Sequence, residues 1–154
     1  DAIQNIFNWA QSQMKGEVLE IASFNLLDLI QDKVNLLSLV LKAKNIQFSL
    51  NVNEDLKAFA DKNQIGIVIQ NLINNAIKFT NISGKIEVFA SLIGNKIKIT
   101  IKDNGKGMSA ELIERIKNHQ LIGSKKGTLG EVGTGLGMII CKEILQKNNG
   151  ELEI

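Results

Sequence analysis

The sequence contains few of the residues from which disulfides and transition-metal sites are built. One cysteine, Cys141, and one histidine, His119, occur among its 154 residues. A single cysteine excludes an internal disulfide and a multi-cysteine zinc site, which fits a reducing compartment. With only one histidine as well, the chain has too few ligands for a metal site built from histidine and cysteine. We therefore expect Cys141 to be a packing residue on a helix and His119 to be a solvated loop residue.

The sequence is also short of aromatic residues, net charge and long apolar runs. Aromatics make up 5%, and 18 basic against 16 acidic residues leave a net charge of +2. So small a charge creates no long-range field, and we expect no nucleic-acid partner. No apolar run reaches the ~18 residues of a membrane span, and no signal peptide opens the chain. These absences indicate a soluble domain.

What the sequence does contain is periodicity for one core. With 44% apolar residues, it predicts one domain, with a fragment of a second. The patterns predict helices at 26–43, 61–79, 109–117 and 138–146 and strands at 18–24, 46–52, 58–60, 86–93 and 96–102, with a further strand beginning at 151–154. Gly94-Asn95 suits a type II′ hairpin turn. One apolar and one polar strand face favour an α+β fold, a two-layer α/β sandwich whose mixed, mostly antiparallel sheet is covered on one face by about three helices.

The helix predicted at 61–79 has an unusual polar face. Asp61 is the predicted N-cap, with Gln64 completing a capping box. Asn71, Asn75 and Lys78 follow at i, i+4, i+7 and so share one face, although asparagine costs roughly 0.5 to 0.7 kcal/mol in a helix interior. Amide oxygens suit Mg²⁺ and an ammonium suits phosphate, so this face could hold a metal-nucleotide. The alternative is a solvated helix face.

Two glycine-rich stretches follow. In Asp103-Asn-Gly-Lys-Gly-Met108, a carboxylate at the end of a strand could accept a hydrogen bond from the exocyclic amine of adenine, and the alternative is a plain Asp-Asn-Gly turn. Gly133-Thr-Gly-Leu-Gly137 opens a helix, where exposed N–H groups and the dipole attract phosphate, and the alternative is a flexible hinge.

A loop region lies between the two glycine-rich stretches. Residues 118–133 have few apolar anchors and are interpreted as a mobile lid. Lys125 and Lys126 in it either reach a phosphate or are a solvated pair.

The three motifs in this order resemble the ATP-binding catalytic domain of bacterial sensor histidine kinases, in the superfamily that includes gyrase-type and chaperone-type ATPases. Residues 71–79 look like its N box, 103–107 its first glycine box and 133–137 its second, which implies a Bergerat-type ATP-binding fold. The resemblance implies that Asn75 binds Mg²⁺, that Asn71 supports the metal and phosphate site, that Lys78 approaches the phosphates and that Asp103 binds adenine. It also implies that the pocket is shaped by Gly105, Gly107, Met108, Gly133, Thr134, Gly135, Leu136 and Gly137.

The resemblance also carries expectations for the whole protein. Residues 1–15 look like the end of the second helix of a dimerisation hairpin, and 16–154 like the catalytic domain, stopping before its last strands. Such a protein binds Mg-ATP, donates the γ-phosphate to a histidine on the hairpin of a homodimer and passes it to a response regulator. The domain is expected to lie in the cytoplasm, whether the full-length protein is soluble or membrane-anchored.

The sequence departs from the family pattern at two places. Asn71 stands where the superfamily's hydrolases have a glutamate as general base, which argues against an ATPase. Residues 114–123 lack the family's phenylalanine-rich box.

Two rival functions are considered. One rival is an anti-sigma-type serine/threonine kinase on the same fold, against which Asn71 and the helical tail before residue 15 argue. The other is a nucleotide-sensing module that binds ATP without chemistry.

Overall fold

Five strands and five helices are present in the part of the chain that this computed structural model describes, residues 18–118, 126–131 and 136–154. In chain order they are β1 (Ile21–Asn25), α1 (Leu26–Leu36), α2 (Ser38–Ala43), β2 (Gln47–Asn51), β3 (Lys57–Asp61), α3 (Lys62–Phe79), β4 (Lys85–Ile93), β5 (Lys96–Asp103), α4 (Ala110–Lys117) and α5 (Gly137–Lys147). None of these helices is long and apolar enough to cross a lipid bilayer. The helix predicted within residues 1–15 lies outside the described ranges.

The strands form two sheets, and the larger is mixed. β2 pairs with β4 in parallel, with Phe48 opposite Ile86, and β4 pairs with β5 antiparallel, with Val88 opposite Ile101. β1 and β3 form a separate antiparallel pair. Gly94, in the β4–β5 turn, has φ +62°, as the first central position of a type II′ turn requires. The prediction of mixed, mostly antiparallel pairing is confirmed.

One core lies between the larger sheet and the helices. Ile86 and Val88 of β4 are buried against α1 and α3, and the isoleucines of β5 pack on the same side. Lys96, Lys98 and Lys102 of β5 are exposed. Each fully buried aliphatic side chain contributes about 1.5 to 3 kcal/mol, so this alternation decides which face the helices cover. The predicted two-layer sandwich is confirmed.

The single helix predicted over residues 26–43 is wrong, because the structure has two. α1 ends before Leu37, whose φ of −98° and ψ of 3° are not helical, and α2 begins at Ser38. Val34 and Leu41 are nevertheless buried in the same core. Because the apolar period continues across the break, periodicity alone could not reveal it.

The predicted capping box at the start of α3 is half right. Asp61 Oδ1 accepts a hydrogen bond from the Gln64 backbone N at 3.0 Å, as an N-cap should. The reciprocal bond is absent, because the Asp61 backbone N donates to Asn148 Oδ1 at 2.9 Å and Gln64 Oε1 accepts from Asn148 Nδ2 at 2.9 Å. Asn148 follows the last residue of α5, so the cap joins the start of α3 to the end of α5.

Residues 151–154 do not form a strand, contrary to the prediction. Leu152 packs against the small apolar cluster between α3 and α5. Glu153 Oε2 lies 2.6 Å from Lys98 Nζ on the exposed face of β5. The segment is held by side-chain contacts rather than by a strand ladder.

Candidate functional site

Helix α3 carries the predicted amide face, and that face is less exposed than a solvated surface would be. Ile69, Ile73 and Ile77 face the main core. Asn71 is only 9% exposed, and Asn75 is half-buried. Burying an amide is unfavourable unless it is hydrogen-bonded, so something must lie over this side of the helix. The alternative of a solvated face is wrong for Asn71.

The element that covers the amides is the first turn of α5. Asn75 Nδ2 lies 3.5 Å from Met138 Sδ, and a Cβ added to Gly137 would lie 3.6 Å from Asn71 Oδ1. Leu136, just before the helix, supplies no side-chain cap. The N–H groups and positive dipole end of α5 are therefore beside the amides, which is an arrangement that attracts anions.

A small apolar cluster below this turn holds α5 on α3. Its buried members are Val68, Ile140, Cys141 and Ile144. Cys141 is fully buried, with Sγ 3.9 Å from Val68 O. Burial raises the pKa of its thiol to about 12, against a smaller lowering by a hydrogen bond with the Asn71 side chain. Cys141 is the packing residue that the sequence predicted.

We expect Cys141 in the native chain to be unreactive toward a thiol reagent at about pH 8, because only the accessible thiolate reacts. Denaturant should expose one reactive thiol per chain. Absorbance during reaction with a disulfide reagent measures both. A Ser91→Cys variant places a second thiol at an exposed position of β4 and should react at once. Rapid native reaction of Cys141 would contradict the packing of α5 on α3.

The first glycine motif is a tight turn against the end of α3. Asp103 Oδ1 accepts from the Gly105 backbone N at 2.8 Å, and the Lys106 backbone N donates to Phe79 O at 3.1 Å. A Cβ on Gly105 would lie 2.3 Å from Phe79 O, and Gly107 has φ +67°, so both positions require glycine. The Asp-Asn-Gly turn is therefore present, while the Asp103 carboxylate itself stays exposed.

Lys44, which follows α2 and is 1% exposed, was not among the residues predicted for the site. Its Nζ donates to Ile77 O at 2.8 Å, Lys78 O at 3.1 Å and Thr128 Oγ1 at 2.7 Å. It also forms a 2.7 Å ion pair with Glu131 Oε1. A signal was available, because Lys44 follows Leu37 and Leu41 at i+7 and i+3, on their apolar side of the chain.

Residues 126–131, which we name the docked segment, lie against the last turn of α3. The Thr128 backbone N donates to Lys78 O at 3.0 Å, and Thr128 Oγ1 donates to Thr80 O at 2.9 Å. The Leu129 backbone N donates to Glu131 Oε2 at 2.8 Å. For these six residues, the expectation of few anchors is wrong. Lys126 is exposed. Residues 119–125 and 132, with His119 and Lys125, lie outside the described ranges, so the choice between a phosphate contact and a solvated pair stays a prediction.

Lys78 is half-buried between these groups. Its pKa is lowered by burial, which Glu131 partly offsets by its negative charge. Its Nζ lies 5.1 Å from the centre of the Phe79 ring. For Glu131, burial alone would raise the pKa, but hydrogen bonds from Lys44 and from backbone groups outweigh it and keep the pKa below its usual range. The negative charge of Glu131 therefore favours the protonated form of Lys78.

The predicted site residues that the structure describes are arranged along α3. The first turn of α5, with Leu136 and Gly137, lies over Asn71 and Asn75, and the turn of Gly105 meets Phe79 about 6 Å further along the axis. Gly107 and Met108 belong to the same turn and are exposed, and Gly133, Thr134 and Gly135 lie outside the described ranges. In the described part of the chain, no group of three His, Cys, Asp or Glu residues could hold a metal.

A family model supports this arrangement. Residues 60–154, which include α3, both glycine motifs and α5, match the family of histidine kinase-, DNA gyrase B-, and HSP90-like ATPases. The match covers more than half of the chain. The chain therefore belongs to this ATPase family, as the resemblance of the three motifs predicted.

Individual relatives are sensor kinases. The chain is 30% identical over 154 residues to the alginate biosynthesis sensor protein KinB of Pseudomonas aeruginosa and 34% identical over 146 residues to the adaptive-response sensory kinase SasA of Synechocystis. These alignments cover 99% and 93% of this chain but 25% and 36% of the relatives. The chain thus spans between a quarter and about a third of the length of these curated relatives.

Solved structures show the same fold. The nucleotide-free catalytic domain of histidine kinase ThkA superposes with a TM-score of 0.72 at 32% identity, covering 83% of this chain and 82% of that domain. A structure of ThkA in complex with the response regulator protein TrrA has a TM-score of 0.74 at 27% identity, covering 96% of this chain and 42% of that one. The fold is that of a histidine kinase catalytic domain.

Proposed function

We propose that this chain is the part of a sensor histidine kinase that binds Mg-ATP and donates the γ-phosphate to a histidine on a dimerisation hairpin. The observation that carries the proposal is the first turn of α5 lying over the Asn71 and Asn75 side of α3. That juxtaposition places two amide side chains beside a helix N-terminus, where a metal and phosphates can be held together.

Asn75 and Lys78 are the residues proposed to meet the triphosphate. The Asn75 amide nitrogen is the atom near Met138 Sδ, which turns its oxygen, the atom that would ligate Mg²⁺, away from the sulfur. Mg²⁺ usually takes one or two protein oxygens and completes its shell with water and substrate phosphates, so a site without a carboxylate cluster fits it. Bound with ATP, this ion would neutralise charge on the phosphates. The half-buried Lys78 would approach the phosphates with its ammonium group.

The two glycine motifs are proposed to contact the rest of the nucleotide. Asp103 would accept a hydrogen bond from the exocyclic amine of adenine, which guanine could not donate at that position. The bond from the Gly105 backbone N to Asp103 Oδ1 orients the carboxylate before any ligand binds. At the other motif, the N–H groups opening α5 at Gly137, and those of Gly133 and Gly135, would face phosphate oxygens.

The whole protein is proposed to be a cytoplasmic or membrane-anchored homodimer in which residues 1–15 end the dimerisation hairpin and 16–154 form the catalytic domain. The structure of ThkA with the response regulator TrrA supports a response regulator as the next phosphate acceptor here. Transfer would depend on in-line placement of the hairpin histidine and on electrostatic stabilisation of the phosphoryl group, the usual basis of phosphoryl-transfer catalysis.

The test is incubation of a longer form of the protein, including the upstream hairpin, with γ-labelled ATP. We expect acid-labile, alkali-stable label on a histidine, lost when that histidine is replaced by glutamine. Acid-stable label on a partner protein would favour the serine/threonine kinase. Tight ATP binding with no label at all would favour the nucleotide-sensing module.

We expect Asn75→Ala to reduce Mg²⁺-dependent ATP affinity while leaving the fold intact. The change removes the proposed metal ligand, yet alanine is the better helix former by about 0.5 kcal/mol. Calorimetric titration with and without Mg²⁺, beside urea unfolding, measures both effects.

Asn74→Ala is the matched control, because Asn74 is the neighbouring asparagine on α3 and is exposed. It should gain the same helix propensity and keep the full effect of Mg²⁺. An equal Mg²⁺ effect on affinity in the Asn75→Ala variant and the parent would remove Asn75 from the metal site.

A further inference from the structure

Lys44 is the most completely buried charge among the described residues, and the proposed function assigns it no role. Its four acceptors are the carbonyls of Ile77 and Lys78, the hydroxyl of Thr128 and the carboxylate of Glu131, all within 3.1 Å. A buried ammonium is strongly unfavourable unless such partners compensate for its lost hydration. These four partners belong to two parts of the chain, the last turn of α3 and the docked segment, and Lys44 connects them.

The connection is more than a cap on α3. The helix already closes with the Thr80 backbone N donating to Ala76 O at 3.0 Å, and a cation near the last carbonyls would complement its dipole without further partners. Thr128 and Glu131, both in the docked segment, bind the same ammonium group. Lys44 therefore holds that segment on the carbonyl end of α3.

The contacts converge on Lys78. Its carbonyl accepts from Lys44 Nζ and from the Thr128 backbone N, and a Cβ on Gly127 would lie 2.7 Å from Lys78 Cγ, so the docked segment packs along the side chain as well. Glu131, held by Lys44, acts on the charge of Lys78. The backbone and the direction of Lys78 are thus both set by residues that Lys44 keeps in place.

We propose that Lys44 is a positioning residue for the triphosphate: through Glu131 and Thr128 it fixes the docked segment, and the docked segment fixes Lys78 toward the phosphates. This inference rests on the proposed function, because it takes Lys78 as a phosphate-binding residue. It extends that function to a side chain outside the three motifs.

A comparison of ATP with adenosine tests the proposal, because only ATP carries the phosphates that Lys78 would meet. In the Lys44→Met variant, affinity for Mg-ATP should fall about tenfold, while affinity for adenosine changes little. The Glu131→Gln variant should lower the ratio of ATP affinity to adenosine affinity by less, since it removes the ion pair while Lys44 keeps its three neutral acceptors. It also serves if Lys44→Met folds poorly.

Asn148→Ala is the matched control. It breaks a polar bridge of similar kind at the opposite end of α3 and should lower the unfolding temperature without changing the ratio of ATP to adenosine affinity. Lys44→Met lowering both affinities equally, or neither, would overturn the positioning role. A parent chain that binds ATP no more tightly than adenosine would instead refute the proposed function.

Hydrogen exchange tests the anchoring without any nucleotide. The amides of Thr128, Leu129 and Gly130 each donate to an acceptor within 3.3 Å and should be protected in the parent. Lys44→Met should speed their exchange about tenfold more than it speeds exchange in β4, and Asn148→Ala should not. Unchanged exchange at these amides in Lys44→Met would overturn the anchoring step.

Discussion

Asp103→Asn is expected to weaken ATP binding by about 1.5 to 3 kcal/mol, which is about ten- to a hundredfold in affinity. The amide keeps one acceptor oxygen, so the bond from the Gly105 backbone N and the turn itself should survive. What is lost is the negative charge and the second acceptor that would face the adenine amine. Calorimetric titration with ATP measures the loss.

Glu87→Gln provides the matched control for this substitution. Glu87 lies opposite Lys102 in the β4–β5 ladder, and its ion pair is with Lys85. Because Lys102 precedes Asp103, Glu87 and Asp103 are on opposite faces of the sheet, so neutralising Glu87 removes the same charge away from the proposed base site. It should leave ATP affinity within about twofold of the parent. Unchanged affinity in a folded Asp103→Asn protein would remove Asp103 from the nucleotide site.

The 154-residue chain alone is expected to bind Mg-ATP without releasing phosphate and without labelling itself. Hydrolysis needs a base to take a proton from water. Asn71 is a buried amide that is hydrogen-bonded to Cys141, and an amide cannot act as that base. The sole histidine, His119, lies between the two glycine motifs in the sequence rather than on the expected hairpin. Phosphate release and γ-label retained on the chain measure the two activities.

A dimerisation hairpin supplied separately should be labelled weakly, because the covalent link that gives a high effective concentration is missing. Asp103→Asn distinguishes true turnover from a contaminant, since phosphate release by this chain should fall with its ATP affinity. Release that falls in this way would favour an ATPase. Acid-labile phosphate on His119 would overturn the placement of the acceptor on a separate hairpin.

Local patterns predicted the main elements well, because their causes are local. Helix α3 begins after Asp61 and ends at Phe79, as the N-cap and the apolar period indicated. The β4–β5 hairpin turns at Gly94, where glycine relieves a positive φ. Such features depend on residues a few positions apart, so a single sequence contains nearly all the information that determines them.

Features that depend on distant partners were missed or only half predicted. Gln64 was expected to accept a hydrogen bond from the backbone N of its own N-cap, Asp61. Instead, both groups bond to the side chain of Asn148, which is 84 positions from Gln64. The position of Lys44 on an apolar side of the chain was a local signal, but its partner Thr128 is also 84 positions away and could not be predicted. In both cases, a side chain that could bond to several groups bonds to the ones that the fold brings within reach.

The sequence by itself determined the family, because three motifs in a fixed order are a property of the chain and need no coordinates. It also indicated the polar residues that we propose for the nucleotide site: Asn71, Asn75, Lys78 and Asp103. Only the tertiary structure decided that α5 lies over Asn71, that Gly105 meets Phe79 O and that Lys44 joins the docked segment to α3. The physical reason is that burial makes an unpaired polar group costly, so each such group takes whichever partner the packed core places within reach.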